Sequence, residues 1–293
     1  MKKACLLMLL SLSLIVSGCG GAAPSTNTGK PTRVAVLFSS LAEIWLEAGG
    51  DVAITVGETV ERGFADADTP LVDSGAGKTV NVELLLSLEP DLVICSTDIA
   101  AQAEAAALLR EAGIATLVLR VETLDDYVAA LAAMTEITGN TDALQNALAM
   151  KARIDGLLSS ERVTALAGTR ILFVRAGSTA ASTKTKGSAD HFAAHMLRQL
   201  GCINLADDTP LSLDSIGMEA ILASDPDHIF FSMMGDEAAA RANIEALLES
   251  ETWQALSAVR EGRVTVLDKS LFHFKPCGRW EQAYLALVDC LVK

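Results

Sequence analysis

Two stretches of the chain read as copies of one unit: VNVELLLSLEPDLVICS at residues 80–96 and IGMEAILASDPDHIFFS at residues 216–232. They align without gaps at an offset of 136 residues, and the Glu, Pro, Asp and final Ser positions coincide. Each copy predicts a short helix, a Pro-Asp turn that ends the helix, and a buried strand that ends at serine. Ligands of open parallel sheets bind beyond the carboxyl ends of the strands, so we expect Ser96 and Ser232 to lie toward a site.

The sequence around both copies alternates short apolar runs with amphipathic stretches, which is typical of α/β proteins with mainly parallel sheets. Strands are predicted at 33–38, 52–56, 91–96, 114–121, 170–175, 228–232 and 263–267. Helices are predicted at 41–48, 82–88, 99–112, 124–137, 190–200, 216–223, 237–248, 252–259 and 280–291. We therefore predict two Rossmann-like α/β lobes, an N-terminal lobe at 33–138 and a C-terminal lobe at 169–293, joined by one long helix.

The connecting segment at 139–168 has a helical pattern. From Thr141 to about Ala165 it contains no proline and one glycine, and its leucines and isoleucines recur at near-helical spacings. The pattern predicts one helix of roughly 25 residues, about 37 Å long at 1.5 Å per residue. Two ordinary helices with a break near Gly156 are equally compatible with the residue propensities.

The first 32 residues have the pattern of a targeting segment and a linker rather than of a folded element. Two lysines precede an apolar run at 4–16, which is too short for a comfortable membrane span and predicts a signal peptide at 1–18. The motif VSGC resembles the bacterial lipobox and predicts lipid on Cys19, an ordinary cleaved signal being the alternative. Small and polar residues at 19–32 predict a flexible tether. We expect the protein to be lipid-anchored on the outer face of the cytoplasmic membrane, at the cell surface or in the periplasm.

The composition argues against several function classes. The formal net charge is −14, from 23 Lys and Arg against 37 Asp and Glu, and 4% of residues are aromatic, so we expect no nucleic-acid partner. HExxH and GxSxG motifs are absent from the sequence. The stretch SGAGKT at 74–79 resembles a phosphate-binding loop, but Val72 stands where the first glycine is required.

With these features the chain resembles the iron-chelate and corrinoid class of substrate-binding proteins that serve ABC importers, the class with a helical backbone between its lobes. The motifs that carry the resemblance cover nearly all of the chain after the tether. They are VAVLFSSLAEI at 34–44, the two repeat units with their E…PD elements, GCINLAD at 201–207, and Trp253 followed by AVREGRVTVLD at 258–268. The resemblance implies a monomeric receptor, without enzymatic activity or a cofactor of its own. It would capture a ferric siderophore, haem or a corrinoid between its lobes and deliver it to a permease dimer with a cytoplasmic ATPase.

The same resemblance assigns the surface that docks on the permease. In that family each lobe carries a surface glutamate before the PD element, and the two acids bind arginines of the permease. The matching positions here are Glu83 and Glu219. Equivalent charges on two lobes suit a two-fold symmetric partner. As an alternative, both are ordinary first-turn glutamates favoured by the helix dipole.

The loops that follow the predicted strands supply the candidate ligand contacts. Arg62 and Arg175 are the candidates for ligand carboxylates, because a planar guanidinium binds carboxylate in a fork, although each could also be a solvated loop arginine. The aromatic residue Phe272 could stack on a flat ligand or belong to the core. The full set of predicted ligand-binding residues is Ser39, Ser40, Glu58, Arg62, Ser96, Thr97, Arg175, Ser232, Met233, Phe272, His273 and Lys275.

All four histidines lie in the second half of the chain, at 191, 195, 228 and 273. A bare metal site between the lobes would draw imidazoles from both, so we expect no metal site and favour a metal held inside a chelate. His191 and His195 share one helix face, and either is a candidate axial ligand or part of a capped helix start. Two alternative functions remain open at this point: a two-lobed extracytoplasmic enzyme such as a glycosyltransferase, and a surface sensor or adhesion protein that reuses the fold.

Overall fold

The structure is a computed structural model that describes residues 30–73, 79–207, 213 and 215–292. The predicted signal peptide, Cys19, most of the tether and the SGAGK stretch at 74–78 lie outside the described residues. Within the described ranges, no helix is both long enough and apolar enough to cross a bilayer.

The strands form two sheets, one in each lobe. The N-terminal sheet has the order β1-β2-β3 and is parallel throughout. The C-terminal sheet has the order β5-β4-β7-β8 with β6 also on β4, and the β4–β5 pair is antiparallel. The prediction of mainly parallel α/β lobes is confirmed. The strands are β1 (Val34–Val36), β2 (Leu92–Ser96), β3 (Ala115–Leu119), β4 (Arg170–Ala176), β5 (Lys184–Thr185), β6 (Ile203–Asn204), β7 (His228–Met233) and β8 (Val264–Val266).

The strand predicted at 52–56 is wrong as a regular element. Its residues make only isolated bridges, Ala35 to Ile54 and Thr55 to Leu71. On one side the Val36 N–H of β1 donates to the Ile54 carbonyl at 2.9 Å, and on the other side the Thr55 N–H donates to the Pro70 carbonyl at 3.0 Å. This pairing is too short to form a regular strand.

Helices cover the faces of both sheets and form the connection between them. Two short 3₁₀ turns at Ala180–Ser182 and Cys277–Arg279 accompany them. The α-helices are α1 (Ser39–Glu47), α2 (Gly57–Glu61), α3 (Val82–Ser87), α4 (Ala100–Glu111), α5 (Leu124–Thr138), α6 (Thr141–Leu158), α7 (Glu161–Thr164), α8 (Phe192–Gln199), α9 (Ser215–Ser224), α10 (Glu237–Glu249), α11 (Glu251–Gln254), α12 (Ser257–Arg260), α13 (Lys269–Phe272) and α14 (Trp280–Leu291).

The connecting helix α6 is shorter than predicted. It has 18 residues, about 27 Å at 1.5 Å per residue, and it runs through Gly156 before it ends at Leu158. The hydroxyl of Ser159 donates to the Asp155 carbonyl at 2.9 Å, and that of Ser160 donates to the Leu157 carbonyl at 2.6 Å. Serine side chains that bond backward to the helix compete with its continuation, which explains the break before α7. The domain boundaries at 138 and 169 stay a prediction.

The backbone of the two repeat units matches at the turn between helix and strand. Glu89 and Asp225, which are equivalent in the repeat, both have a left-handed backbone, with φ of 48° and 41°. Such a conformation is uncommon outside glycine and needs support from the surrounding structure. Each of the two residues precedes the proline of its PD element, which prevents the helix from continuing. The repeat is therefore present in the backbone structure as well as in the sequence.

Hydrogen bonds at the base of each lobe repeat as well. Asp91 accepts from the backbone N–H of Arg33 at 3.0 Å, and Asp227 accepts from the backbone N–H of Arg170 at 2.8 Å. Both arginine side chains donate to a carbonyl at the end of the helix of the repeat unit, Arg33 to Leu88 after α3 and Arg170 to Ser224 of α9. These bonds form what we call the base lock, which fixes the first strand of each lobe to its helix–turn–strand unit. Burial raises the pKa of Asp227, but the hydrogen bonds from Arg170 and the charge of its side chain outweigh that effect and hold the pKa below its usual range.

One apolar core runs through both lobes and the connecting helix. It includes Trp45 of α1, Met150 of α6, Phe173 of β4 and Trp280 of α14, all buried. Smaller buried clusters lie on the other face of each sheet. Because the lobes share this core behind the strand ends, we expect only small relative motions between them.

Candidate functional site

The carboxyl ends of the strands of both sheets border one cleft between the lobes. Contacts among the described residues cross it: the Lys275 ammonium pairs with the Glu122 carboxylate, and the Arg62 guanidinium lies 4.0 Å from the centre of the Phe274 ring. A cavity of about 240 Å³ lies beside the first contact, between the loop at 120–123 and the start of α8. We call the two sides of the cleft the N-terminal wall (Glu58, Arg62, Asp98, Arg120, Glu122) and the C-terminal wall (Arg175, Lys186, His191, His273, Lys275). Of these residues, Arg120, Glu122 and His191 line the cavity.

On the N-terminal wall the charge of Arg62 is already balanced. Its guanidinium pairs with Glu43 at 2.7 Å, and the two side chains are only 11% and 13% exposed. The Ser39 hydroxyl accepts from Arg62 at 3.0 Å and donates to Glu58, while Ser40 lies 3.4 Å from the same guanidinium nitrogen. Ser39 and Ser40 are fully buried. Ser39 and Ser40, which were predicted to contact ligand, therefore do not face the cleft and instead hold Arg62 and Glu58 in place.

Strand β2 ends at the cleft with Ser96, and Thr97 follows it, but the Ser96 side chain is buried. Its N–H donates to the Gln102 carbonyl oxygen at 2.8 Å, and its hydroxyl accepts from the Asp98 N–H at 3.1 Å. Gln102 also donates to the Leu37 carbonyl, so this buried amide ties the ends of β1 and β2 together. Thr97 is exposed.

Arg175 is the cation of the C-terminal wall that lies on a strand. It lies on β4 directly opposite Ser232 of β7, and it is partly buried. Burial lowers the pKa of its guanidinium. Among the described residues its guanidinium has no hydrogen-bond or ion-pair partner. The structure therefore separates the two predicted arginines: Arg62 is neutralised within its own lobe, and Arg175 is not.

His191 serves the fold. It caps α8, because its Nδ1 accepts from the Ala193 N–H at 3.2 Å, so the proton sits on Nε2, 3.5 Å from the Ser232 hydroxyl. Its ring packs against Phe173 and Phe192. Burial, followed by the positive charges of the neighbouring cations, lowers the pKa of His191 to about 3. Both ring nitrogens are engaged, which favours the capped helix start over an axial ligand.

His273 presents a different arrangement. Its Nδ1–H donates to the carbonyl of Met233 at 2.9 Å, so Nε2 carries no proton in the neutral ring. Burial lowers the pKa of His273, and the hydrogen bond to Met233 opposes that effect. Lys269 and Arg175 lower the pKa further, and Glu58 makes the smallest opposing contribution. The Met233 side chain is buried, and its carbonyl rather than its thioether positions the imidazole.

The prediction for Phe272 needs correction. Its ring is 2% exposed and belongs to the core, because the short helix α13 turns it inward. Phe274, two residues on, is the partly exposed ring at the cleft, where it meets Arg62 and the edge of His273. Lys275 also lies at the cleft, 5.1 Å from the centre of the Phe192 ring.

Glu43 and Glu122 were not predicted. Glu122 follows β3, so the rule that found the other loops, one loop after each strand, could have found it. Glu43 lies inside α1, 19 residues from Arg62, and no local pattern connects the two.

The two predicted docking acids lie on equivalent units. Glu83 is in the first turn of α3, which is capped by Asn81, and Glu219 is in α9. Both are exposed, and neither has a hydrogen-bond or ion-pair partner in the described part of the chain.

A larger cavity, of about 470 Å³, lies away from the strand ends, between α5, α6 and the start of α14. Its partly buried carboxylate, Glu47, accepts from the Tyr127 hydroxyl at 2.7 Å and from the Gly278 N–H at 3.0 Å. Burial raises the pKa of Glu47. These bonds join the N-terminal lobe to the C-terminal segment and make this region a junction between the lobes. Across 30–73, 79–207 and 215–292, no group of three or more His, Cys, Asp or Glu side chains is placed to hold a metal ion.

A family model described as periplasmic binding protein matches residues 34–271. The chain belongs to the periplasmic binding protein family. The resemblance seen in the sequence is thereby confirmed, and the family consists of extracytoplasmic substrate-binding proteins rather than enzymes.

Proteins of known structure share this fold over nearly their whole length. The periplasmic vitamin B12 binding protein BtuF of Vibrio cholerae matches with a TM-score of 0.70 and 22% identity, over 90% of this chain and 97% of that one. A periplasmic haem-binding protein of Pseudomonas aeruginosa matches with a TM-score of 0.69 and 21% identity, over 89% and 92%. A cobalamin-binding protein of Halobacterium salinarum is 26% identical over 223 residues. That match covers 74% of this chain and 58% of the relative's length.

Proposed function

We propose that this binding protein captures a metal-bearing chelate of the tetrapyrrole class, a corrinoid or haem, in the cleft between its lobes. The observation that carries the proposal is the cleft itself, where two repeated lobes present their strand ends to each other. His273 stands at that cleft with an unprotonated Nε2, and such a nitrogen suits the open axial position of cobalt or iron. The cobalamin-binding and haem-binding relatives support the same ligand class.

A thermal-shift screen of the chain from Gly20 onward tests the ligand class. The panel contains haemin, cobinamide, cyanocobalamin and several ferric siderophores. A ligand at about a hundred times its Kd adds roughly 2.7 kcal/mol of stability, which is visible as a raised Tm. A shift with a corrinoid or haem supports the proposal, a shift with a siderophore alone replaces the ligand class, and no shift with any member refutes it.

The delivery step follows from the exposed pair Glu83 and Glu219. We infer that both acids dock on an ABC permease dimer, which a cytoplasmic ATPase drives. Charge reversal at both positions, Glu83→Lys with Glu219→Lys, should abolish uptake by cells and leave ligand binding by the purified protein unchanged. The matched control reverses two other exposed helix glutamates, Glu104 and Glu245, and should leave uptake intact. Loss of binding in the first variant would refute the docking assignment.

We propose further that Cys19 carries lipid and holds the protein on the outer face of the cytoplasmic membrane as a monomer. Labelling of cells with a radioactive fatty acid should mark the wild-type protein and not a Cys19→Ala variant. Equal labelling of both proteins would contradict the anchor.

A further inference from the structure

Positive charge is concentrated on one wall of the cleft, although the chain as a whole has a net charge of −14. Burial is the main cause that lowers the pKa of His191, and the cations Lys275, Arg175 and Lys186 add to it, so all three lie within electrostatic reach of this partly buried ring. Lys269 and Arg175 act on His273 in the same way. Like charges gathered around a cleft raise the local concentration of an oppositely charged ligand.

Two of these cations lack any carboxylate counterpart. Among the described residues, neither Arg175 nor Lys186 has an ion-pair partner for its side chain, and Arg175 is partly buried. A partly buried and unpaired guanidinium is costly unless a ligand supplies the missing anion.

The third cation, Lys275, is satisfied from across the cleft. Its ammonium pairs with Glu122 of the N-terminal wall, and the two side chains are 13% and 22% exposed. The carboxylate of Glu122 is the more exposed member of this partly buried pair, so it can turn toward water when an incoming carboxylate takes its place beside Lys275.

The N-terminal wall offers no comparable anion site. Arg62 is neutralised by Glu43, and Arg120 pairs with Asp98 at 3.3 Å. The remaining titratable groups there, Glu58 and Glu122, are acids. A ligand with anionic groups would consequently meet attraction on one wall and repulsion on the other.

We propose that the C-terminal wall selects chelates that carry at least two carboxylates, which bind Arg175 and Lys275, and that Glu122 occupies the Lys275 position until the ligand arrives. The proposal rests on the proposed function, since it names the chemical subclass of chelate that the same cleft takes. It also fixes the ligand's orientation, with its carboxylate edge toward the C-terminal lobe.

The test compares acids with their own esters. Haemin and haemin dimethyl ester, and cobyrinic acid and its heptamethyl ester, are titrated into the purified protein and followed by absorbance. We expect the preferred acid to bind at least tenfold more tightly than its ester, and the preference to shrink as salt is raised. Equal affinity of acid and ester would overturn this inference while leaving the proposed function standing. If none of these four compounds binds and cyanocobalamin does not bind either, both this inference and the proposed function are overturned.

Variants assign the preference to the wall. Arg175→Gln should weaken binding of the acid about tenfold to a hundredfold and leave the ester unchanged, and Arg175→Lys should recover part of the loss. The matched control is Arg162→Gln. Arg162 lies on α7, the helix before β4, and is an exposed cation that pairs with Asp289. Weakening of acid and ester alike by Arg175→Gln would show a structural role and overturn the assignment.

The Glu122→Gln variant should change the affinity for the acid in the opposite direction. Removal of the competing carboxylate should tighten binding of the acid several-fold, whereas Lys275→Gln should weaken it. Unchanged Tm values in the absence of ligand would show that both variants fold. Weaker binding of the acid by the Glu122→Gln variant would contradict the placeholder role.

Discussion

The two lobes are alike at their bases and differ at the cleft. Asp91 and Asp227 form the same base lock, each with the arginine that opens its lobe. At the other end of the sheets, Arg62 is paired inside its own lobe, while Arg175 has no partner among the described residues. The repeated features therefore build the scaffold, and the features that differ carry the ligand chemistry.

The largest effect expected from this difference concerns stability without ligand. Arg62→Leu leaves Glu43 buried and unpaired, which should lower the free energy of unfolding by about 3 kcal/mol. Arg175→Leu removes an unpaired, partly buried charge and should leave the stability unchanged or raise it. Urea unfolding of both variants measures the difference.

The control for Arg62 is the double variant Arg62→Leu with Glu43→Leu, which removes both charges. It should recover most of the lost stability, because no unpaired charge remains. Equal destabilisation by Arg62→Leu and Arg175→Leu would remove the distinction between the walls.

The second effect is a pH dependence that belongs to the C-terminal lobe, which holds all four histidines. The pKa of His191 is about 3 in the folded protein, below the ordinary value of 6.5, so the unfolded chain binds more protons between those values. Stability is therefore lost as the pH falls below 6.5, and this one group contributes about 2 kcal/mol of loss by pH 5. Unfolding at pH 7 and pH 5 should show a smaller difference for His191→Asn, which keeps a capping side chain. An unchanged pH difference in that variant would contradict the assignment.

The smallest effect separates the two core tryptophans. The indole N–H of Trp45 donates to the Asp51 carbonyl at 2.8 Å, whereas the buried indole nitrogen of Trp280 has no partner within the described residues. Trp45→Phe should therefore cost about 1 kcal/mol more than Trp280→Phe in the free energy of unfolding. Thermal and urea unfolding of the pair measure this difference, and the reverse order would show that packing volume outweighs the hydrogen bond.

Much of the scaffold could be predicted because it is written in local patterns. The repeat at 80–96 and 216–232 located the parallel strands and their ends, and the left-handed turns at Glu89 and Asp225 confirm that the two units are equivalent. The length of α6 was wrong, because two serine side chains end the helix at a point where propensity alone lets it continue.

The chemistry of the cleft was harder to predict, because it depends on contacts between distant residues. Arg62 follows the short helix α2 and Arg175 lies near the end of β4, and neither local sequence shows that Glu43 of α1 pairs with Arg62. Ser39, Ser40 and Ser232 were predicted to contact ligand from their place at strand ends, but they are buried and position other side chains. Phe272 and Phe274 differ in exposure because a single turn of helix decides which ring points inward.

We expect ligand to bind between the lobes with its main contacts on the C-terminal wall. Hydrogen–deuterium exchange, with and without the chelate that gives the largest thermal shift, measures where these contacts lie. The strongest protection is expected at 175–177, 186–191 and 273–275, with weaker protection at 57–62 and 96–98. Protection centred on the cavity between α5, α6 and α14, or confined to the N-terminal lobe, would show that ligand binds elsewhere.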